Sequence, residues 1–432
     1  MTQLLEQAAP KATDMTKGRW QIALAGVAIQ MMLGTVYAWS IFKKSIMADH
    51  KWDSATVGTT FGLTIFFLGL SAAVGGRLVD RAGTRKVASI AAVLFGVGML
   101  LAGVAHQTGS WLLLWLGYGV IAGIGNGLGY VTPVAVLLRW FPDKKGTITG
   151  LAVMGFGLGA AVMTKVGGWM IDAFGKGQGV YATFYVSGVI FLIGILVAAR
   201  KLVNPPADYH VPTPSGKPKP VAVVSVSLRQ ASRMNQLYLL WGMLFLNVFA
   251  GIALISNLGY IGTDNKGLLK ADAEMVVFLG SLFNGFGRVF WGTLSEKLGR
   301  RNVVLLIFLT QIPLFILLPQ IQGFWAFAAV SCYILLCYGG GFGTMPSFTA
   351  ETFGPKNIGS IYGMVLLAWG IAGGFGPGLM EFVNTLTQTP ANPKGNFDLA
   401  LYIAAGVLTL GLVLALLYRK PTVRPEALQA DA

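Results

Sequence analysis

In the stretch LFNGFGRVFWGTLSEKLGR, residues 282–300, Arg288 lies in a run that is otherwise apolar, small or aromatic. Eight residues later Glu296 opens a cluster of charges that must meet water. At 1.5 Å per helical residue, Arg288 is then ~12 Å in from that surface. A fixed cation at such depth in hydrocarbon costs ~2.5 kcal/mol or more, so it must face a water-filled cavity or a partner. No acid is placed to pair with it. Asp172 and Glu381 fall near the far ends of their apolar runs, and Asp80 and Glu296 at the near surface. An unpaired guanidinium is a seat for an anion, and its planar fork fits a carboxylate at two points. The alternative is an arginine that reaches back to the surface or hydrogen-bonds backbone carbonyls. Asn284, one helical turn earlier on the same face, is placed to orient Arg288 or to bond the same anion.

The elements that carry these residues read as membrane spans. The 432-residue chain is 54% hydrophobic and 11% charged, against ~25% charged for a soluble domain. A spanning helix needs ~20 mostly apolar residues. Twelve such runs occur, at 20–42, 55–79, 87–105, 111–138, 147–171, 181–199, 236–260, 274–294, 302–319, 324–349, 360–382 and 399–418. The expected organisation is a tail at 1–18, a six-helix bundle at 19–199, a Pro- and Lys-rich linker at 200–235, a second bundle at 236–418 and a tail at 419–432. The first apolar run is long enough to remain as an anchor, so no cleaved signal peptide is expected.

The net charge of +15 reads as topology. With the N-terminus inside, 23 Lys and Arg fall on cytoplasmic segments and 7 outside, while Lys165 and Arg288 lie within spans. That bias places both termini and the linker in the cytoplasm. Because the cations lie between apolar spans and not along one face, nucleic acid is excluded as a partner. Cys332 and Cys337, five apart, point different ways on a helix, so no disulfide is expected.

Two motifs repeat. GRLVDRAGTRK, from Gly76, and GTLSEKLGRR, from Gly292, follow the second and eighth runs at an offset of 216 residues. FPDKKGTITG, ending at Gly150, and FGPKNIGSIYG, ending at Gly363, follow the fourth and tenth at an offset of 213. The chain therefore reads as an internal duplication with parallel halves about an axis along the membrane normal. In the first pair, Gly76, Asp80, Arg81, Gly83 and Arg85 face Glu296, Lys297, Gly299, Arg300 and Arg301 as a matched gating set. Asp80 is placed to pair with Arg85, Lys86 or a neighbouring helix, or to cap a helix N-terminus, and so to lock the outward-open state. Six residues after each glycine of the second pair stand Phe156 and Trp369, matched positions expected to face each other across the axis.

Glycine clusters at 123–129, 155–159, 339–343 and 370–378 let helices approach closely. A gating hinge, with a kink at Pro377, is the alternative. None follows a strand, so none cradles a nucleotide. The chain shows no intramembrane His, Asp or Glu constellation, no metal-ligand spacing and no placed nucleophile. No enzyme activity, catalytic residue, metal or cofactor is expected.

The G-x-x-x-D-R-x-G-x-R-K loop, its echo and the 6+6 layout resemble the major facilitator superfamily over residues 19–420. GTVYAWSIF, RWFPDKKG and YGGGFGTMPSF resemble its oxalate/formate antiporter branch, close to the monocarboxylate transporters. The resemblance implies an all-α membrane protein of twelve transmembrane helices in two pseudo-symmetric bundles. It also implies that Tyr37, Asn126, Tyr130, Tyr338 and Phe342 line the substrate cavity, with Arg288 and Asn284. Aromatic walls suit a small anion with an apolar tail. Two departures bear on substrate. Oxalate exchangers of this branch carry Lys where this chain has Trp369, and the related monocarboxylate transporters often carry an acid where it has Asn284. One cation suits a monoanion, with Lys165, near an outer end, as either a second cation or a snorkelling side chain. The expectation is a monomeric secondary transporter of short monocarboxylates of the lactate and pyruvate type in a bacterial cytoplasmic (inner) membrane. Proton symport by alternating access is expected, and oxalate/formate-type exchange is the alternative.

Overall fold

The computed structural model describes residues 12–175, 177–206, 209, 225–390, 395 and 397–421. The expected tails at 1–18 and 419–432 and the linker at 200–235 lie partly outside the described residues. Helix already begins at Ala12, ahead of the first apolar run.

Among the described residues, twelve helices are long and apolar enough to cross a membrane. They are α1 Gly18–Lys43, α2 Thr56–Ala82, α3 Thr84–Thr108, α4 Trp111–Trp140, α5 Lys145–Phe174 and α6 Gly179–Ala199 in the first half. In the second half they are α7 Asn235–Thr263, α8 Lys270–Leu298, α9 Arg300–Gln320, α10 Phe324–Phe353, α11 Ile358–Thr385 and α12 Asp398–Leu417. Four are irregular: α7 passes into a π-helix at Ile261–Asn265, α9 ends in a 3₁₀ turn at Leu318–Gln320, and two others change form within the span where the sequence gives no warning. α1 tightens into a 3₁₀ turn at Thr35–Ala38, and α4 widens into a π-helix over Trp115–Ala122. α11 runs on past Pro377 to Thr385.

The halves meet along two seams, α2 against α11 and α5 against α8. Small residues make both seams possible. A Cβ on Gly146 would overlap the carbonyl of Gly292, and one on Gly157 would run into the backbone of Gly285. At the other seam Gly76 meets Gly359 and Gly69 meets Gly370 in the same way. The two pairs repeat at the offsets of 216 and 213 found in the sequence. Glycine at these points lets backbones approach where a side chain would hold them apart.

The repeated loops share one end of the molecule, the motif face. Gly83 and Gly299 stand at φ +86° and +87°, each ending one helix and preceding the next. Left-handed backbone of this kind costs an L side chain heavily, which explains the matched glycines. Asp80 reaches across the α2–α11 seam to accept from the backbone N–H and hydroxyl of Ser360, the third residue of α11. Glu296 does the same across the other seam, accepting from the N–H and hydroxyl of Thr147, the third residue of α5, at 2.8 and 3.0 Å. Each carboxylate thus caps a helix of the opposite half, where free N–H groups and the helix dipole favour a negative charge. The ion-pair partner of Asp80 is Arg139, at 2.6 Å, and neither Arg85 nor Lys86. Arg85 instead donates to the carbonyl of Arg200, and Arg300 pairs with Glu351 at 2.7 Å. Cys332 and Cys337 are buried free thiols.

Candidate functional site

Arg288 sits on α8 between the two seams, with no exposed surface. Its backbone is held from two sides, because a Cβ on Gly150 or on Gly343 would overlap its carbonyl. The guanidinium therefore has little freedom. Nη1 donates to the carbonyl of Val153 on α5, at 2.9 Å. Its carbon lies 4.9 Å from the ring centre of Phe342 and 5.5 Å from that of Phe156, within cation–π range. Nε and Nη2 have no partner. Among the described residues no carboxylate lies within ion-pair distance of it. The sequence predicts a choice between a hydrated cleft and a backbone carbonyl. One nitrogen takes the carbonyl, and the cleft is a closed aromatic chamber.

Trp369 is the centre of that chamber, fully buried, with ring centres at 4.8 Å from Phe342, 5.0 Å from Tyr130, 5.5 Å from Phe156 and 6.1 Å from Tyr37. Phe156 and Trp369 do meet across the axis. The Tyr37 hydroxyl from α1 and the Tyr338 hydroxyl from α10 hydrogen-bond at 3.2 Å, bridging the halves. On the side away from the motif face lies a cavity of about 30 Å³, lined by Tyr37, Gly157, Ser281 and Asn284 among others. That is room for about one water. Asn284 is 4% exposed, and its Oδ1 is unpaired.

Asn126 donates its amide to the carbonyl of Leu33, at 2.9 Å, and so ties α4 to α1, while its Oδ1 is buried and unpaired. Lys165 is exposed and lies 5.2 Å from the Phe278 ring centre. It stands nine residues beyond Phe156, ~13 Å along α5, which separates it from the guanidinium.

Sequence reasoning missed Tyr362. Its buried hydroxyl is unpaired and lies beside that of Tyr130, itself next to Arg288 and unpaired. The signal was available, since Tyr362 precedes Trp369 by seven residues, two turns on one helix face. Also missed were the buried amides behind the site. Gln30 on α1 donates to the carbonyl of Tyr130 at 3.1 Å, and Asn247 on α7 to that of Tyr338 at 3.3 Å. Gln311 on α9 in turn donates to Asn247 at 3.0 Å. A buried polar side chain without a partner is costly. Five donor atoms gathered here are orphaned: Nε and Nη2 of Arg288, Nε1 of Trp369 and the hydroxyls of Tyr130 and Tyr362. Such a set can bind an anion through charge and several hydrogen bonds while the rings exclude water.

Two six-helix halves that repeat one another and meet around a buried cluster of polar donors define a membrane transporter. The family model described as "Major Facilitator Superfamily" matches residues 23–377 and 240–432, and the chain belongs to that superfamily. It is 29% identical over 382 residues to the oxalate:formate antiporter of Oxalobacter formigenes, covering 87% of each chain. It is 24% identical over 462 aligned positions to the apicoplast pyruvate carrier 1 of Toxoplasma gondii, covering 84% of this chain and 83% of that one. The fold matches a crystal structure of the superfamily transporter FucP in the outward conformation with a TM-score of 0.68, at 16% identity, covering 91% of this chain and 98% of the other.

Proposed function

We propose that the protein is a secondary transporter of short monocarboxylates, of the lactate and pyruvate type, working by alternating access. The observation that carries this reading is Arg288, a fully buried guanidinium with two unpaired nitrogens and no acidic neighbour, walled by Phe156, Phe342 and Trp369. Its free fork receives the carboxylate. Tyr130, Tyr362 and Trp369 supply the remaining donors, and the rings pack against the apolar end of the substrate. Two relatives, an oxalate:formate antiporter and an apicoplast pyruvate carrier, support a small carboxylate as cargo.

Proton symport fits one cation better than exchange does, since a monocarboxylate entering with a proton moves no net charge. The antiporter relative favours a second reading, exchange of one carboxylate for another. The Lys and Arg bias of the sequence supports a cytoplasmic motif face, and we take the protein as a monomer in a bacterial inner membrane. In that orientation the two carboxylate caps hold the cytoplasmic side shut, and the Tyr37–Tyr338 bond closes the other. Uptake into proteoliposomes tests the coupling. An inward proton gradient drives lactate accumulation without internal anion if symport is right. Uptake only into vesicles preloaded with carboxylate assigns exchange, and no carboxylate uptake under either condition overturns the substrate class.

A further inference from the structure

The start of α9, the end of α10 and the chain leaving α12 enclose a second cavity, of about 450 Å³, at the motif face. It is lined by Arg300, Arg301, Phe348, Glu351, Arg419 and Lys420 among others. The charges do not cancel. Arg300 is matched by Glu351 at 2.7 Å, which leaves Arg301, Arg419 and Lys420 as a net positive surplus. Arg301 is fixed in place, donating from Nε and Nη2 to the carbonyls of Ala415 and Leu416 at the end of α12. The deeper wall is apolar and aromatic, with Phe348 and Tyr418 each 4% exposed and their rings 4.6 Å apart. Beside the cavity, Leu298, Leu416 and Leu417 at the ends of α8 and α12 are 45%, 54% and 61% exposed.

The internal duplication supplies the comparison that gives this hollow its meaning. In the first half the corresponding corner, between the start of α3, the end of α4 and the end of α6, is filled by the chain that leaves α6. Thr84 donates to the carbonyl of Leu202 at 2.7 Å and Trp140 to that of Val203 at 2.7 Å. Arg139 reaches Asn204 at 2.9 Å and Arg85 the carbonyl of Arg200 at 2.8 Å. There the polypeptide itself meets the arginines and the indole. In the second half Arg300 pairs with Glu351 and Thr352 meets the Tyr418 hydroxyl at 2.8 Å, and the cavity lies among these residues.

The geometry points to a site for the headgroup of an anionic phospholipid, with its phosphate between Arg301, Arg419 and Lys420 and its acyl chains running down over Leu298, Leu416 and Leu417. The positive surplus calls for an anion, and two features select a lipid over a soluble one: the cavity lies at the level where the spans end, and exposed leucines continue from its rim. Basic pockets between spans at a membrane surface bind anionic headgroups on this physical ground. The site is independent of the carboxylate chamber, from which it is separated by the length of α8 between Arg288 and Leu298.

The test is thermal unfolding of the full chain in detergent with added phosphatidylglycerol or phosphatidylcholine of identical acyl chains. Arg419→Gln with Lys420→Gln is the variant, both being surface positions past the last span. The wild type is expected to gain a few degrees more from phosphatidylglycerol than from phosphatidylcholine. The variant should lose that excess and keep the phosphatidylcholine response, and glycerol phosphate or inorganic phosphate should give no shift. An excess that survives in the variant, or that never appears in the wild type, overturns the proposal. A full shift with inorganic phosphate alone overturns the lipid as its source.

Discussion

Ala72 occupies in the first half the place that Arg288 occupies in the second. The residues are 216 apart, the offset of the repeated loops. A Cβ on Gly363 would overlap the carbonyl of Ala72, as one on Gly150 would overlap that of Arg288. Leu68 matches Asn284 by the same count. A duplicated scaffold thus holds one cation where symmetry offers places for two. The chamber is electrostatically one-sided, and any anion in it must bind off the axis, toward α8.

Arg288→Ala is therefore expected to abolish carboxylate uptake, because among the described residues no other buried cation faces the chamber. Arg288→Lys keeps the charge and loses the planar fork. A hydrogen bond to a charged group is worth about 1.5–3 kcal/mol, so losing one of two weakens substrate ~10- to 100-fold. Concentration-dependent uptake in proteoliposomes, with the amount of inserted protein measured in parallel, reads both values.

Trp369→Lys adds a second cation where the rings of Tyr130, Phe156 and Phe342 now converge. Two close guanidinium and ammonium groups in a dry chamber repel each other. The variant is expected to be less stable than the wild type when empty, and to be restored by a dicarboxylate such as oxalate more than by acetate. Thermal midpoints with each anion measure this. Equal responses to the two anions would count against the reading of Trp369 as the residue that selects monoanions.

Asp80 and Glu296 bond the third residue of a helix across opposite seams, so the motif face is closed by two copies of one device. Loss of a helix cap costs about 0.5–2 kcal/mol. Asp80→Asn or Glu296→Gln should favour opening of the motif face by roughly that amount, with the double change about additive because the seams share no residue. Turnover is expected to fall while substrate affinity changes little. The reaction rate of a cysteine introduced at the seam with a thiol reagent reports the opening directly.

The twelve spans, the duplication and Arg288 are readable in the sequence because each rests on a long-range regularity: apolar length, a fixed offset, or one charge in an apolar run. The same offset finds Phe156 and Trp369. What escapes is whatever depends on rotamer and neighbour. For Asp80 the sequence offers nearby bases, a neighbouring helix or a cap, and only the neighbours decide: it takes Arg139 from α4 and caps α11, and leaves Arg85 and Lys86. Asn126 matches a cavity-lining place, but that its amide is taken by the Leu33 carbonyl while its Oδ1 stays unpaired is not legible in the sequence. Tyr362 shares a helix face with Trp369, seven residues on, but that its hydroxyl is left buried and unpaired depends on its neighbours. The 3₁₀ turn at Thr35–Ala38 and the π-helix in α4 are set by packing against other helices, which no local pattern encodes.

The glycines separate into two groups whose substitution has opposite signs. At Gly157 a Cβ would meet the backbone of Gly285, which cannot yield without moving α8 and with it Arg288. At Gly168, eleven residues on along the same helix, a Cβ meets nothing within 4 Å. Glycine within a helix costs ~0.5–1 kcal/mol relative to alanine through backbone entropy. Gly168→Ala should accordingly raise stability by about that amount and leave uptake unchanged. Gly157→Ala gains the same entropy but opens the seam, and should lower both the thermal midpoint and uptake. Paired thermal unfolding and transport assays on the two variants check the signs. If Gly157→Ala behaved like Gly168→Ala, the close approach of α5 and α8 would not be what positions the guanidinium.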